Sequence, residues 1–194
     1  MENLTTDTDD DEPQEPINSD IVKNTYYRLR RFHRKFAISL PTDVMYEPCT
    51  AIPVSDVTGM LYMGGIESLK SINKYGIDVV FSMTPTYQLP SNILQYNYCI
   101  DDSCDLETRE KMQTMLQSAV DLLYLHLASG DRVLVHCHAG ISRSATLIAA
   151  YFVKHQKMTF ADSLIHLKQI RKCAFPNSGF IRVLYDYWCA NQST

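Results

Sequence analysis

The chain has no run of eighteen apolar residues, the length a helix needs to cross a membrane core, and no apolar targeting segment at its start, so neither a membrane span nor export is expected. Glu2 in second position excludes an N-terminal myristoyl site. Positive charge is not in excess: 18 Lys and Arg against 22 Asp and Glu give a net charge of -4, with no overall nucleic-acid signature. The six cysteines (Cys49, Cys99, Cys104, Cys137, Cys173, Cys189) follow neither a disulfide framework nor a zinc spacing. What remains is 194 residues, 45% of them hydrophobic, enough for one ordinary α/β core.

The stretch His136-Cys137-His138-Ala139-Gly140-Ile141-Ser142-Arg143-Ser144 carries the most chemistry. It follows the apolar run Val133–Val135 and leads into 145–151, which reads as a helix. A buried strand thus delivers a cysteine to a loop that a helix N-terminus closes. Helix amides and loop amides turned inward make an anion site and supply the positive potential that favours a thiolate. Gly140 permits a tight turn. Arg143, six residues after Cys137, can grip two oxygens of one anion with its planar fork. A phosphate held in line with the sulfur meets these demands most simply. A metal centre on His136-Cys137-His138 does not, because successive strand residues point to opposite faces. No metal or organic cofactor is expected.

Elsewhere the chain divides in three. Residues 1–20, with the acidic run Asp9–Glu12, read as a disordered acidic tail. Residues 21–49 read as a basic amphipathic helix and linker. Val22, Tyr26, Leu29, Phe32 and Phe36 recur at helical spacing among Lys23, Arg28, Arg30, Arg31, Arg34 and Lys35. This helix would pack on the following domain with its basic face in solvent, or offer segment 23–35 to an acidic partner. From residue 50 to 192 strands and helices alternate: strands at 60–63, 77–83, 94–100 and 132–136; helices at 66–74, 107–128, 143–155, 159–172 and 178–190. The expected fold is a single α/β domain, a mostly parallel central sheet with helices on both faces.

Residues 136–144 resemble the signature of the cysteine-dependent protein phosphatases, in particular the compact dual-specificity branch. The resemblance spans about 50–190. Ser55–Gly65, with Leu61-Tyr62-Met63-Gly64, is similar to that family's opening strand. Arg171–Phe180, with Pro176-Asn177, is similar to its C-terminal region, although Lys172 and Cys173 stand where a proline is common. The resemblance implies hydrolysis of phosphotyrosine and phosphoserine/threonine in proteins through a cysteinyl-phosphate. Cys137 would be the nucleophile. Residues 138–143 (His138, Ala139, Gly140, Ile141, Ser142, Arg143) would bind the phosphate. Ser144 would donate to the sulfur as it leaves, and Asn177 would brace the loop; His136 would order it. A non-hydrolysing phosphoprotein-binding module, or a phosphatase for a non-protein ester, are the alternatives. A thiol enzyme implies a reducing compartment, the cytoplasm with or without the nucleus.

Ester cleavage by a thiolate also needs an acid for the departing oxygen. Asp101, Asp102 and Asp105 follow the strand predicted at 94–100. Alternation through Tyr96, Tyr98 and Ile100 points to Asp102, with Asp101 and Asp105 as alternatives; Asp105 also suits a helix cap.

Overall fold

The computed structural model describes residues 20–192; the predicted acidic tail lies outside them, except that Asp20 already belongs to a helix. The elements run α1 (Asp20–Ser39), α2 (Thr42–Met45), β1 (Cys49–Ile52), β2 (Met60–Gly64), a 3-10 helix (Ile66–Ser71), α3 (Ile72–Tyr75), β3 (Val79–Ser82), β4 (Leu94–Asn97), α4 (Leu106–Ala128), β5 (Arg132–His136), α5 (Arg143–His155), α6 (Phe160–Ile170) and α7 (Ser178–Ala190). The strands form one sheet in the order β1-β2-β5-β3-β4. Every pairing is parallel except the antiparallel pair β1 with β2.

β5 is the central strand, and its sequence shows why. Val133, Leu134 and Val135 are fully buried, the continuous apolar run of a strand covered on both faces. Alternation then sorts side chains between two cores. Leu61, Met63, Val79, Phe81, Val133 and Val135 face the larger core, closed by α1, α4, α5, α6 and α7. Tyr62, Val80 and Leu134 face a smaller one with Cys49, Ile72 and Ile77, backed by Leu69 and Tyr75. Helices cover both faces unequally: five on one side, the 3-10 turn and α3 on the other. α5 is buried all round, with ten of its thirteen residues inaccessible, as a helix enclosed by neighbours must be.

Helix starts follow local capping chemistry. Asp105 accepts from the Thr108 amide, Thr159 from the Asp162 amide and Asn177 from the Phe180 amide, so α4, α6 and α7 begin where a capping side chain stands. α1 buries Val22, Tyr26 and Leu29 in the larger core and leaves Lys23, Arg28, Arg31, Arg34 and Lys35 exposed. It runs on to Ser39, past the last apolar repeat at Phe36.

Several expectations need correction. The strand β1, inside the region read as linker and domain start, pairs with β2; it has only four residues, with Cys49 and Ile52 buried at its ends, and no alternation to betray it. The helix expected at 66–74 is a 3-10 turn running into the single-turn α3, ended by the left-handed Gly76. The strand expected at 77–83 is regular only over Val79–Ser82.

The strand expected to run from Leu94 to Ile100 stops at Asn97. Tyr98 and Ile100 still donate to the Ser82 and Met83 carbonyls at 2.9 and 3.2 Å. Between them Cys99 takes φ +46, and this left-handed residue breaks the two-residue repeat. Ile100 is buried while Asp102 is exposed, so strand alternation does not carry from one to the other. The argument that placed Asp102 by strand face is wrong, whatever its side chain does.

Candidate active site

Cys137 follows β5 directly. Its amide makes a last, long contact of 3.4 Å with the Gly64 carbonyl, and the residue is fully buried. The chain then loops back to α5. Carbonyls along this loop are tied outward: His138 to the Ile66 amide at 2.9 Å, Gly140 to Arg171 Nε at 2.8 Å, Ile141 to the Phe175 amide at 2.8 Å and Ser142 to the Thr146 amide at 3.0 Å. No peptide bond among the described residues is cis. In a trans peptide the N–H opposes the C=O. Anchoring those four carbonyls therefore turns the amides of Ala139, Ile141, Ser142 and Arg143 toward the concave side. That array of N–H groups is an anion nest beside the sulfur.

Gly140 is the residue the loop cannot replace. It sits at φ +67, and a Cβ there would lie 2.5 Å from the backbone of both Gly64 and Gly65. Its own amide approaches Cys137 Sγ at 3.2 Å, and Ser144 Oγ stands 3.3 Å from the same sulfur. Both groups can donate to a negatively charged sulfur.

Arg143, the first residue of α5, reaches across the loop. Its Nη1 donates to the Ile100 carbonyl at 3.0 Å, with the Met83 carbonyl at 3.5 Å. Its Nε is buried, without a hydrogen-bond partner among the described residues, and lies 3.6 Å from Asp102 Oδ2. A buried guanidinium donor left unmatched is costly, and an oxyanion in the nest would match it.

Asp102 meets this constellation from the side. Its Oδ1 accepts from Ser142 Oγ at 2.7 Å and from Asn177 Nδ2 at 2.9 Å. Ser142 Oγ also accepts from the Asn177 amide at 3.1 Å. The other two candidate acids are elsewhere. Asp101 is exposed, and its field acts on Lys111. Asp105 caps α4; hydrogen bonds from Ser103 first, then from the Thr108 amide, hold its carboxyl down at about 2. A carboxyl so fixed as an anion is a structural cap and a poor proton donor near neutrality.

His136 is fully buried, and that burial lowers its imidazole to about 4, so the ring is neutral. Nδ1 lies 3.3 Å from the Cys137 carbonyl, which can only accept, so the ring proton sits on Nδ1. The ring therefore ties down the start of the loop.

Sequence reasoning missed Arg171. This buried side chain joins the Gly140 carbonyl to the Glu47 carbonyl (2.7 Å) and Thr50 Oγ1 (2.8 Å), locking the loop to β1. A lone arginine after a helix carries no local mark of such a role. The Ser142 hydroxyl bridges Asp102 and Asn177, a role that the loop sequence does not mark. Among the described residues no cluster of His, Cys, Asp and Glu could hold a metal ion.

Residues 61–189 match the model of the family described as dual specificity phosphatase, catalytic domain. "Putative tyrosine phosphatase 123R" of Invertebrate iridescent virus 6 is 33% identical over 130 residues, covering 66% of this chain and 86% of that protein. Dual specificity protein phosphatase 1 of Arabidopsis thaliana is 32% identical over 65% of this chain and 64% of its own length. Some relatives are far longer: the match to human dual specificity protein phosphatase 16 takes in only 22% of it. The crystal structure of DUSP15 superposes with a TM-score of 0.63 at 25% identity, over 74% of this chain and 90% of that one.

Proposed function

The chain belongs to the dual specificity phosphatase family, and on that premise we propose that the site hydrolyses phosphotyrosine and phosphoserine/threonine in proteins with Cys137 as nucleophile and Asp102 as acid. The observation that carries the reading is the convergence of one buried sulfur, an inward amide nest, an unmatched guanidinium donor and a carboxyl group on the same loop. The phosphoryl group lies in the nest, its oxygens on the amides of residues 139–143 and on Arg143. The sulfur attacks phosphorus; the S–P bond forms as the P–O bond to the side chain breaks. Asp102 gives its proton to the departing oxygen, which leaves as the tyrosine, serine or threonine hydroxyl. The ionised Asp102 then takes a proton from water as that water attacks the cysteinyl-phosphate, and inorganic phosphate leaves. Ser144, 3.3 Å from the sulfur, steadies the charge returning to it in the second step. Preorganised donors of this kind are each worth about 3 kcal/mol in the transition state.

Release of phosphate from phosphotyrosyl and phosphothreonyl peptides, abolished by Cys137→Ser, tests the activity. A binding module would retain phosphopeptides without releasing phosphate. A binder has no use for an acid, and Asp102 at the loop favours hydrolysis. The neutral Ala139-Gly140-Ile141 segment carries no cation for a polyanionic lipid head group and favours a protein substrate.

The partner includes an acidic docking region. Arg28, Arg31, Phe32 and Lys35 line a cleft of about 470 Å³ on the solvent side of α1. Reversing the charge of Arg28 and Arg31 should raise KM for a phosphoprotein with acidic flanks and leave a small aryl phosphate unaffected. A reactive thiol that must stay reduced supports a reducing compartment, the cytoplasm with or without the nucleus.

A further inference from the structure

Phe175 lies outside the phosphate loop, yet side chains from two helices meet at its ring. Tyr26 and His33, seven residues apart on one face of α1, both stack on it. Their ring centroids are 5.7 and 5.3 Å away, with interplanar angles of 28 and 18°. Two turns of helix advance about 10.5 Å, comparable to the two centroid separations taken together. Lys168, a buried lysine on α6, places Nζ 5.6 Å from the Phe175 centroid and 2.7 Å from His33 Nδ1. The ring is held on several sides by groups that take no part in the chemistry.

The backbone of Phe175 faces the other way. Its amide donates to the Ile141 carbonyl, one of the four whose direction sets the amide nest. Pro176 follows and removes one backbone freedom. Asn177 then gives its side-chain NH2 to Asp102 and its amide to Ser142 Oγ, while its Oδ1 caps α7. Phe175-Pro176-Asn177 is thus a short stiff segment with α1 at one end and the acid at the other. If the ring loosens, Asp102 loses the fixed position of one of its two hydrogen-bond donors, and the Ile141 peptide loses an anchor. α1 lies wholly before residues 61–189, the part the family model matches.

We propose that α1 is a positioning element of the active site: by clasping Phe175 between Tyr26 and His33, it sets the acid Asp102 through Asn177. Tyr26, His33 and Phe175 are positioning residues and touch no reacting atom. The inference rests on the phosphatase reading above, and its test separates the two.

The full chain is assayed on phenyl phosphate, whose leaving oxygen needs a proton, and on an aryl phosphate with an activated phenol, which needs far less help. The double variant Tyr26→Leu/His33→Leu should lower kcat/KM for phenyl phosphate, which reports formation of the cysteinyl-phosphate, about tenfold and hold kcat/KM for the activated ester within about twofold. Phe175→Leu, which attacks the same contact from its other side, should give the same split. Tyr26→Phe and His33→Phe, which keep stacked rings, should restore the phenyl phosphate rate, and Ile38→Ala, at an exposed position of α1, should change nothing. An equal fall on both esters would mean that α1 supports only the fold, and no fall on either would mean that the clasp does not reach the acid; each overturns the proposal. Wild-type protein inactive on both esters would overturn the phosphatase reading itself, and this one with it.

Discussion

The segment after β5 and the segment after β4 bring their residues together by different means. From Cys137 to Arg143 the backbone itself is the machine: four outward carbonyl bonds and a left-handed Gly140 turn the amides inward. From Tyr98 to Asp105 the backbone is irregular, with Cys99 at φ +46, and Asp102 is held by side chains that arrive from α7 and from the other loop. The acting residues of the first arrangement are consecutive, with one strand, one glycine and one helix start in a fixed order, although Ile66, Arg171 and Phe175 supply three of its four carbonyl anchors. The second is tertiary. A functional loop of the first kind is written in consecutive residues; one of the second kind is completed by residues 40 and 75 positions away.

Breaking the local half should cost most. Cys137→Ser should reduce phosphate release by roughly 10⁴-fold or more, since the covalent route is lost; stopped assays on a phosphotyrosyl peptide measure it, and near-normal activity would remove Cys137 from the chemistry. Next comes the acid. Asp102→Asn should lower kcat by about 10²- to 10⁴-fold with KM little changed, whereas Asp101→Asn should stay within about twofold. Reversal of that order would move the acid to Asp101 and dissolve the contrast between the loops.

Asn177→Ala lies where the two halves touch. Loss of the α7 cap should cost about 1 kcal/mol by chemical denaturation, and loss of the Asp102 contact should lower kcat about tenfold. A variant that loses stability but keeps kcat would show that Asp102 positions itself.

The last effect is on stability rather than on rate, and concerns pH. The folded state holds His136 near 4 against an ordinary 6.5, because burial disfavours its charge. The unfolded chain therefore binds more protons between those values. Stability from the neutral ring is complete above pH 6.5 and falls as pH drops toward 4, by roughly 3 kcal/mol. Thermal midpoints of wild type and His136→Gln, compared at pH 7 and pH 4.5, should show the steeper fall in the wild type; parallel lines would mean that this imidazole titrates normally.

Most of the core was legible because period and capping speak locally. The Val133–Val135 run and the capping residue Asp105 each announce an element without help from the rest of the fold. What escaped depended on distant partners. β1 gains its identity from β2, and Arg171 from a carbonyl at Gly140. Asp102 was singled out through a strand repeat that Cys99 interrupts, yet its carboxyl stands beside Arg143 because Ser142 and Asn177 hold it there.

The most direct measurement is a rapid acid quench of Asp102→Asn turning over an activated aryl phosphate, followed by peptide mapping. The variant should still form the S–P bond, because such a leaving group needs little protonation, and should hydrolyse it slowly for want of a base. A phosphoryl group found on the peptide containing Cys137 is the predicted result. Phosphate released at the same rate with no adduct on that cysteine, or with the adduct on another residue, would contradict the account.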